Sequence, residues 1–279
     1  MTVAVIVDST AAIPKDLQET LGIRVVPLHL MWDREEYADG RDITTAQFYE
    51  RMKTAENWPT TDGAVQGEFY NVFEELKGKV DGVVAVLISP DTPSTGYQSA
   101  LIAKDMVEGI PIEVVNSYRT IVAEGLVATA AAQAARAGAS LQEVVKAAES
   151  VIPKTHIFFN VGSISYFLRL GRIGESEVEK KEDSHIITIH ETGKIAPLEK
   201  YPTQEEARRR LRDLVKENAR KDTPLHAAIF HAAALEEAEE FKKEIESEYN
   251  CAEIWIGEAS PIIAIHVSPD TLGIAFYNE

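Results

Sequence analysis

Residues 3–7 read VAVIV and are followed directly by Asp8-Ser9-Thr10. An unbroken apolar run with three valines is typical of a strand buried on both faces of a parallel sheet. In open α/β sheets, ligands bind beyond the carboxyl ends of the strands, so Asp8 and Ser9 are candidate ligand contacts. The alternative is that Ser9 or Thr10 only caps the next helix, which the sequence predicts at residues 14–21.

Strand-like and helix-like segments alternate beyond this run. Further strands are predicted at residues 23–30, 82–88 and 112–115, and the alternation predicts an N-terminal doubly wound domain with a mainly parallel sheet over residues 1–152. From Pro153 onward, hairpins mix with crossovers. We therefore predict an α/β fold of two domains, in which residues 153–279 form a C-terminal domain with a mixed sheet. Its last strands are predicted at residues 262–266 and 272–277.

Composition and charge exclude several classes of function. The chain has 279 residues, a net charge of −17 and a single cysteine. An acidic surface repels nucleic acid, and one cysteine permits neither an internal disulfide nor a multi-cysteine metal site. The N-terminal residues lack the basic region of a signal peptide, and the apolar stretch at 126–137 is too short to span a bilayer. We expect a cytoplasmic protein without a nucleic-acid partner or stable membrane insertion.

No motif for a dinucleotide, a P-loop phosphate, a nucleophile elbow or an HExxH zinc site occurs, so no cofactor is predicted. Two polar loops remain as candidate sites. The first contains Thr61, and the second contains Ser94, Thr95 and Gly96 at the start of a predicted helix. Hydroxyls and free amides at a helix N-terminus can bind an anion, and His266 ends an apolar run near the C-terminus. On residue type alone, an ordinary turn is the better interpretation of each loop.

Several short segments follow one another along the chain in a set order: Asp8-Ser9-Thr10, Val25-Val26-Pro27-Leu28, Tyr37-Ala38-Asp39-Gly40, residues 59–65, residues 88–100, residues 164–173 and His266. In this order they resemble the DegV family over nearly the whole chain. Residues 59–65 correspond to the family's PxTSQPS loop, residues 88–100 to ISSxLSGTYQSA, residues 164–173 to LxxLxxGGRI, and His266 to the C-terminal histidine motif. Each segment is a weak signal by itself, whereas the ordered set is specific.

The resemblance implies a fold shared with dihydroxyacetone-kinase domains and a bound long-chain fatty acid such as palmitate, stearate or oleate. It implies that Thr61, Ser94 and His266 hold the carboxylate. The second loop carries one residue more than the family's loop. Either Ser94 or Thr95 could therefore be the hydroxyl donor, and Gly96 lies beside them. It further implies a carrier that presents the acid to a partner fatty-acid kinase, and it associates Arg172 with phosphoryl transfer.

Two other functions stay open. The chain could be a serine-dependent lipid hydrolase or acyltransferase with Ser94 as nucleophile and His266 as base, although the nucleophile elbow is missing. It could also be a lipid sensor without a kinase partner. Separately, the arginine-rich segment 204–221 has charged and apolar residues at helical spacing, which is typical of a solvated helix face or of a docking patch for an acidic partner.

Overall fold

The computed structural model describes residues 1–63, 66–90, 95–169, 174 and 183–279. Two residues named above, Ser94 and Arg172, lie outside them. No helix in these ranges is long and apolar enough to cross a membrane.

The first half of the chain alternates strands and helices. Its elements are β1 (Val3–Asp8), α1 (Lys15–Leu21), β2 (Ile23–Val26), β3 (His29–Trp32), β4 (Glu35–Ala38), α2 (Thr45–Met52), β5 (Thr60–Gly63), α3 (Gln66–Leu76), β6 (Gly82–Leu87), α4 (Gly96–Met106), β7 (Ile112–Asn116), α5 (Ile121–Arg136) and α6 (Leu141–Val151). Strands β2-β1-β6-β7 form a parallel four-stranded sheet in that order. All six residues of β6 are buried, as expected for a strand covered on both faces.

The second half forms a six-stranded sheet. Its elements are β8 (His156–Val161), α7 (Ser165–Arg169), β9 (Ser184–Ile189), β10 (Ile195–Tyr201), α8 (Gln204–Asn218), β11 (Leu225–Ala232), α9 (Leu235–Glu248), β12 (Cys251–Glu258), α10 (Pro261–Ala264) and β13 (Thr271–Asn278). The strand order is β10-β9-β8-β13-β11-β12, and only the β11–β12 pair is parallel. The predicted mixed sheet is therefore confirmed.

Three sequence predictions about elements are wrong. The strand predicted at 23–30 breaks at Pro27, which lacks an N–H for a ladder, and β3 joins a different, three-stranded antiparallel sheet β4-β3-β5. The predicted first loop is also part of that sheet, because its residues Thr60–Gly63 form strand β5. The strand predicted at 262–266 is instead the short helix α10, because Ser260 and Pro261 occupy its N-cap and first position.

Helix α5 joins the two halves. It packs against β1 of the first sheet and against β11 and β13 of the second. One hydrophobic cluster consequently contains Val5 and Val7 of β1, Leu126 of α5 and Phe230 of β11. Because this core is continuous, the domain boundary at 152/153 stays a prediction.

A second hydrophobic cluster, which we call the N-terminal cluster, lies on the other face of the first sheet. It contains Ile6, Leu30, Leu87 and Ala100 together with buried aromatic side chains of β3, α2 and α3. Three residues of the second half also belong to it: Ile262, Ala264 and Ile265. The segment that precedes His266 therefore packs into the first half of the molecule.

Candidate ligand-binding site

The strand order of the first sheet creates a crevice between β1 and β6. The chain leaves β1 toward β2 on one side and later returns to β6 on the other side, so the direction of winding reverses between these two strands. Ligands of open α/β sheets bind at such a switch point, outside the carboxyl ends of the strands. Asp8-Ser9 follows β1 there, and Ile88-Ser89 follows β6.

Asp8 and Ser9 brace the backbone at this edge. The fully buried Asp8 carboxylate accepts hydrogen bonds from Thr10 N–H at 2.9 Å and from Ile88 N–H at 3.0 Å. Ser9 Oγ accepts from Leu28 N–H at 3.0 Å. These bonds replace the ladder hydrogen bonds that are lost where the strands end. A direct contact of Asp8 or Ser9 with ligand stays a prediction.

Thr10 links two buried carboxyl groups. Its Oγ1 lies 2.5 Å from Asp8 Oδ1 and 2.9 Å from Glu124 Oε2. One hydroxyl carries one proton, so it cannot donate to both, and one of the carboxyls must itself be protonated and donate. Burial, reinforced by the charge of Asp8, raises the pKa of Glu124 well above its usual range. We therefore assign the proton to Glu124, which donates to Thr10, which in turn donates to Asp8.

The start of the second loop, at Ser89, is also held by residues that follow β7. Ser89 N–H donates to Arg119 O at 3.1 Å, and Ser117 Oγ donates to Leu87 O at 2.7 Å. The buried Arg119 guanidinium donates to the backbone carbonyls of Tyr118, His190 and Ile152, and burial lowers its pKa. The arginine thus links the loop to both halves of the chain. Nothing in the local sequence pattern indicated this role.

Thr61 and the start of α4 have well-defined positions. Thr61 is half-buried in β5, where it pairs with Leu30 of β3. At the second loop, Thr95 is exposed and directly precedes α4, whose first residue is the buried Gly96. Because the predicted first loop is part of a sheet, the Thr61 backbone is held by ladder hydrogen bonds rather than by a mobile turn.

His266 is held by helix α10. Its N–H donates to Ile263 O at 2.8 Å, and its side chain is half-buried. Residues adjacent to each predicted head-group residue belong to the N-terminal cluster: Leu30 beside Thr61, Leu87 and Ala100 around the second loop, and Ile265 beside His266. Segments separated by about 200 residues of sequence therefore border one apolar cluster.

An open cleft of about 1060 Å³ lies at the carboxyl end of β1 and is lined by residues of both halves. Its lining includes Asp8, Ser9, Asp39, Glu258 and Ser260. Asp39 is buried, and this burial raises its pKa to about 6, against the opposing effect of the nearby Ser9 and Ser260 hydroxyls and of the hydrogen bond from Ile262 N–H. The lining mixes these carboxyl groups with the basic residues Lys15 and Arg41 and with His231.

The remaining candidates are structural. Within the described ranges, no group of three His, Cys, Asp or Glu residues could hold a metal ion. His226 stacks on Tyr277 and lies 2.9 Å from Glu253. Three arginines of α8 pair within the chain, namely Arg208 with Glu237, Arg210 with Glu199 and Arg212 with Glu244. This pairing favours the solvated-face interpretation of that helix over the docking patch.

Comparison with known proteins places the chain in a family. A family model described as "Uncharacterised protein, DegV family" matches residues 2–279. The chain belongs to the DegV family. A DegV domain-containing protein of Halalkalibacterium halodurans is 31% identical over 280 residues, which cover 99% of each protein.

Solved DegV structures share the fold. The crystal structure of DegV, a fatty acid binding protein from Bacillus subtilis, superposes with a TM-score of 0.91 at 29% identity and covers 100% of both chains. A Thermotoga maritima protein whose structure is described as revealing a fatty acid binding function has a TM-score of 0.88 at 25% identity, again over 100% of both chains. The predicted α/β class and the family resemblance are thereby confirmed.

Proposed function

We propose that the chain binds one long-chain fatty acid, such as palmitate, stearate or oleate, and acts as a carrier rather than as an enzyme. The observation that carries the proposal is that Thr61, the second loop and His266 border a single apolar cluster. The fatty acid binding described for the Bacillus subtilis relative supports the same ligand class.

The head group is assigned to the hydroxyls of Thr61 and of Ser94 or Thr95, the amide of Gly96 and the imidazole of His266. A buried carboxylate is costly unless several donors meet it, and hydrogen bonds to a charged group are the stronger kind. The chain carries a net charge of −17, so these local donors must overcome an unfavourable overall field. Ser94 lies outside the described residues, and its role rests on the family resemblance.

The tail supplies most of the affinity in this proposal. Burying about 14 methylene groups at ~0.8 kcal/mol each gives roughly 11 kcal/mol before the entropy of binding is subtracted. An apolar tunnel next to the N-terminal cluster would provide that burial. The carboxylate then determines orientation and selectivity for acids over other lipids.

The carrier role includes presentation of the carboxylate to a partner fatty-acid kinase, with Arg172 assisting phosphoryl transfer. This part rests on the family resemblance alone, and Arg172 lies outside the described residues. The test is whether a cognate kinase phosphorylates the bound acid with the natural chain but not with Arg172→Ala. Equal phosphorylation with both chains would contradict the role of Arg172. If no kinase acts on the complex, the lipid-sensor alternative is favoured.

The binding itself is tested by mass spectrometry of an organic extract of the purified protein, followed by titration of the delipidated protein with palmitate. We expect one acid per chain. Thr61→Val and His266→Ala should each weaken binding roughly tenfold, the effect of losing one hydrogen bond to a charged group. Thr60→Val makes the same change at the adjacent, exposed residue of β5 and should bind normally. A protein that carries no acid and does not bind added palmitate contradicts the proposal.

The hydrolase alternative has its own test. A Ser94 nucleophile activated by His266 would react with a fluorophosphonate probe, and labelling would be lost in Ser94→Ala. We expect no labelling of Ser94, because a carrier needs a hydroxyl donor there and not an activated nucleophile.

A further inference from the structure

His266 belongs by sequence to the second half of the molecule but is positioned by the first. After β12, residues 259–265 leave the second sheet. Ile262, Ala264 and Ile265 are buried in the N-terminal cluster, whereas Ala259 and Ile263 face the cluster around α5. The His266 backbone is bonded to the last turn of α10 through Ile263 O. A displacement of α10 would therefore displace His266.

Two hydrogen bonds fasten this segment to the first half. Asp39 Oδ1 accepts from the buried Ile262 N–H at 3.1 Å, and Thr45 Oγ1 donates to Ala259 O at 2.8 Å. The N–H groups in the first turn of a helix have no partner within the helix. The local N-cap residue, Ser260, makes no side-chain capping bond. Asp39 supplies that cap from the other half of the chain.

Asp39 is itself rigidly held. Its side chain is 4% exposed, its N–H donates to Leu28 O at 2.8 Å, and the hydroxyls of Ser9 and Ser260 lie near its carboxylate. Asp8 is the other acidic group that faces it. Gly40 follows with a φ of 71°, in the left-handed region that favours glycine. The turn is thus built to present one carboxylate to α10.

We propose that Asp39 is a positioning residue that sets the place of the His266 imidazole through the backbone of Ile262. The inference rests on the proposed function, because it concerns the grip on the fatty-acid carboxylate. It assigns the Tyr37-Ala38-Asp39-Gly40 motif to head-group selectivity, although Asp39 does not touch the ligand. The tail, which contacts other residues, should be insensitive to Asp39.

The test compares palmitate with hexadecanol, which has the same tail length but no carboxylate. For the natural chain, palmitate should bind at least tenfold more tightly than hexadecanol. Asp39→Leu removes the acceptor and should reduce this preference roughly tenfold, as expected for loss of a hydrogen bond to a charged group, while hexadecanol affinity changes less than about twofold. Asp39→Asn keeps an acceptor oxygen and should retain most of the preference.

The controls separate positioning from folding. Asp42→Asn changes a half-exposed carboxylate that bonds Ala38 N–H in the same turn, and it should preserve the preference. In a His266→Ala background, Asp39→Leu should have no further effect, because the imidazole it positions is gone. If Asp39→Leu fails to fold, Thr45→Val loosens the same segment and should shift the preference in the same direction.

The outcomes are distinguishable. If Asp39→Leu weakens palmitate and hexadecanol equally, or if its effect adds fully to that of His266→Ala, the positioning role is overturned. If the natural chain itself shows no preference for palmitate, the proposed head-group site fails instead. If Asp39→Leu cannot be studied, an unchanged preference for palmitate over hexadecanol in Thr45→Val also overturns the positioning of His266.

Discussion

Oδ2 of Asp8 accepts a hydrogen bond from the backbone N–H of Ile88 at 3.0 Å. This bond joins the carboxyl ends of β1 and β6 at the point where the winding of the sheet reverses. It fixes the residue from which the second loop departs. The first motif of the sequence and the loop about 80 residues later are in this way parts of one structure.

Removing the Asp8 carboxylate should loosen that structure. Asp8→Ala leaves the buried amides of Ile88 and Thr10 without their acceptor, and each unsatisfied group costs roughly 1–3 kcal/mol. We expect the free energy of unfolding in urea to fall by about 2–4 kcal/mol and palmitate affinity to fall with it. An Asp8→Ala variant as stable as the natural chain would show that water replaces these bonds.

Protonation of Glu124 predicts a specific dependence on pH. Its folded-state pKa is raised, so the folded protein binds this proton more strongly than the unfolded chain does. The stabilisation is complete below the unfolded pKa of about 4.5 and is lost as pH rises toward the folded pKa. Glu124→Gln donates from its amide to Thr10 at every pH. The variant should therefore gain stability relative to the natural chain as pH rises. The gain should reach about 1.4 kcal/mol for each pH unit by which the folded pKa of Glu124 exceeds the unfolded pKa.

Urea unfolding of both proteins between pH 5 and pH 9 measures this difference. Glu124→Ala is the matched variant that removes the donor and opens a cavity, and it should be destabilised at all pH values. A constant difference between the natural chain and Glu124→Gln would contradict a neutral Glu124.

His226 is a base rather than an acid, but its contribution to the free energy of unfolding is also lost as pH rises. Burial alone would lower its pKa, but hydrogen bonds to the carboxylates of Glu253 and Glu279 outweigh burial and raise it. The stabilisation from the charged imidazole is thus complete below about pH 6.5 and is lost as pH rises through the raised pKa. His226→Phe keeps the stack on Tyr277 and removes both pairs.

We expect the natural chain to be about 1 kcal/mol more stable than His226→Phe at pH 6 and to lose that advantage by pH 9. Glu253→Gln should reproduce the loss at pH 6. Denaturant unfolding of both proteins at pH 6 and pH 9 measures this difference. If the natural chain is still more stable than His226→Phe at pH 9, the effect comes from packing rather than from the charge of the imidazole.

Gly125 allows α5 to approach the turn after β1. A Cβ at this position would lie 2.6 Å from Ala11 O and 2.8 Å from the Trp255 ring. Gly125→Ala should destabilise the protein by about 1–3 kcal/mol through overpacking, despite the better helix propensity of alanine. Gly67→Ala is the matched control in α3, because its Cβ meets nothing within 4 Å. The control should leave thermal stability unchanged or slightly raised, whereas equal effects at both positions would refute the close approach.

The sequence predicted most of the fold because strongly periodic or fully apolar segments have few alternatives. The run at β1, the helix predicted at residues 14–21 and the helical spacing at 204–221 agree with the structure to within three residues. The failures lie where local preference and tertiary packing disagree. Residues 262–265 are apolar without alternation, and their burial between two hydrophobic clusters, together with the cap at Ser260 and Pro261, explains the short helix.

The candidate site residues were chosen from their residue types and stay a prediction, whereas the contacts that position them were not predicted at all. Hydroxyls in polar loops and a terminal histidine could be recognised from the sequence. The contacts that hold them, such as Asp39 with Ile262 and Arg119 with His190, join residues 71 to 223 positions apart. No local pattern encodes such pairs, because they exist only once both halves have packed around α5.

The most direct test is a crystal structure of the delipidated protein soaked with palmitate. We predict one acid per chain, with its carboxylate within hydrogen-bonding distance of both Thr61 and His266 and its tail beside the N-terminal cluster. A carboxylate located instead in the cleft at Asp8 and Asp39, or the absence of ligand density at saturating palmitate, would contradict the account.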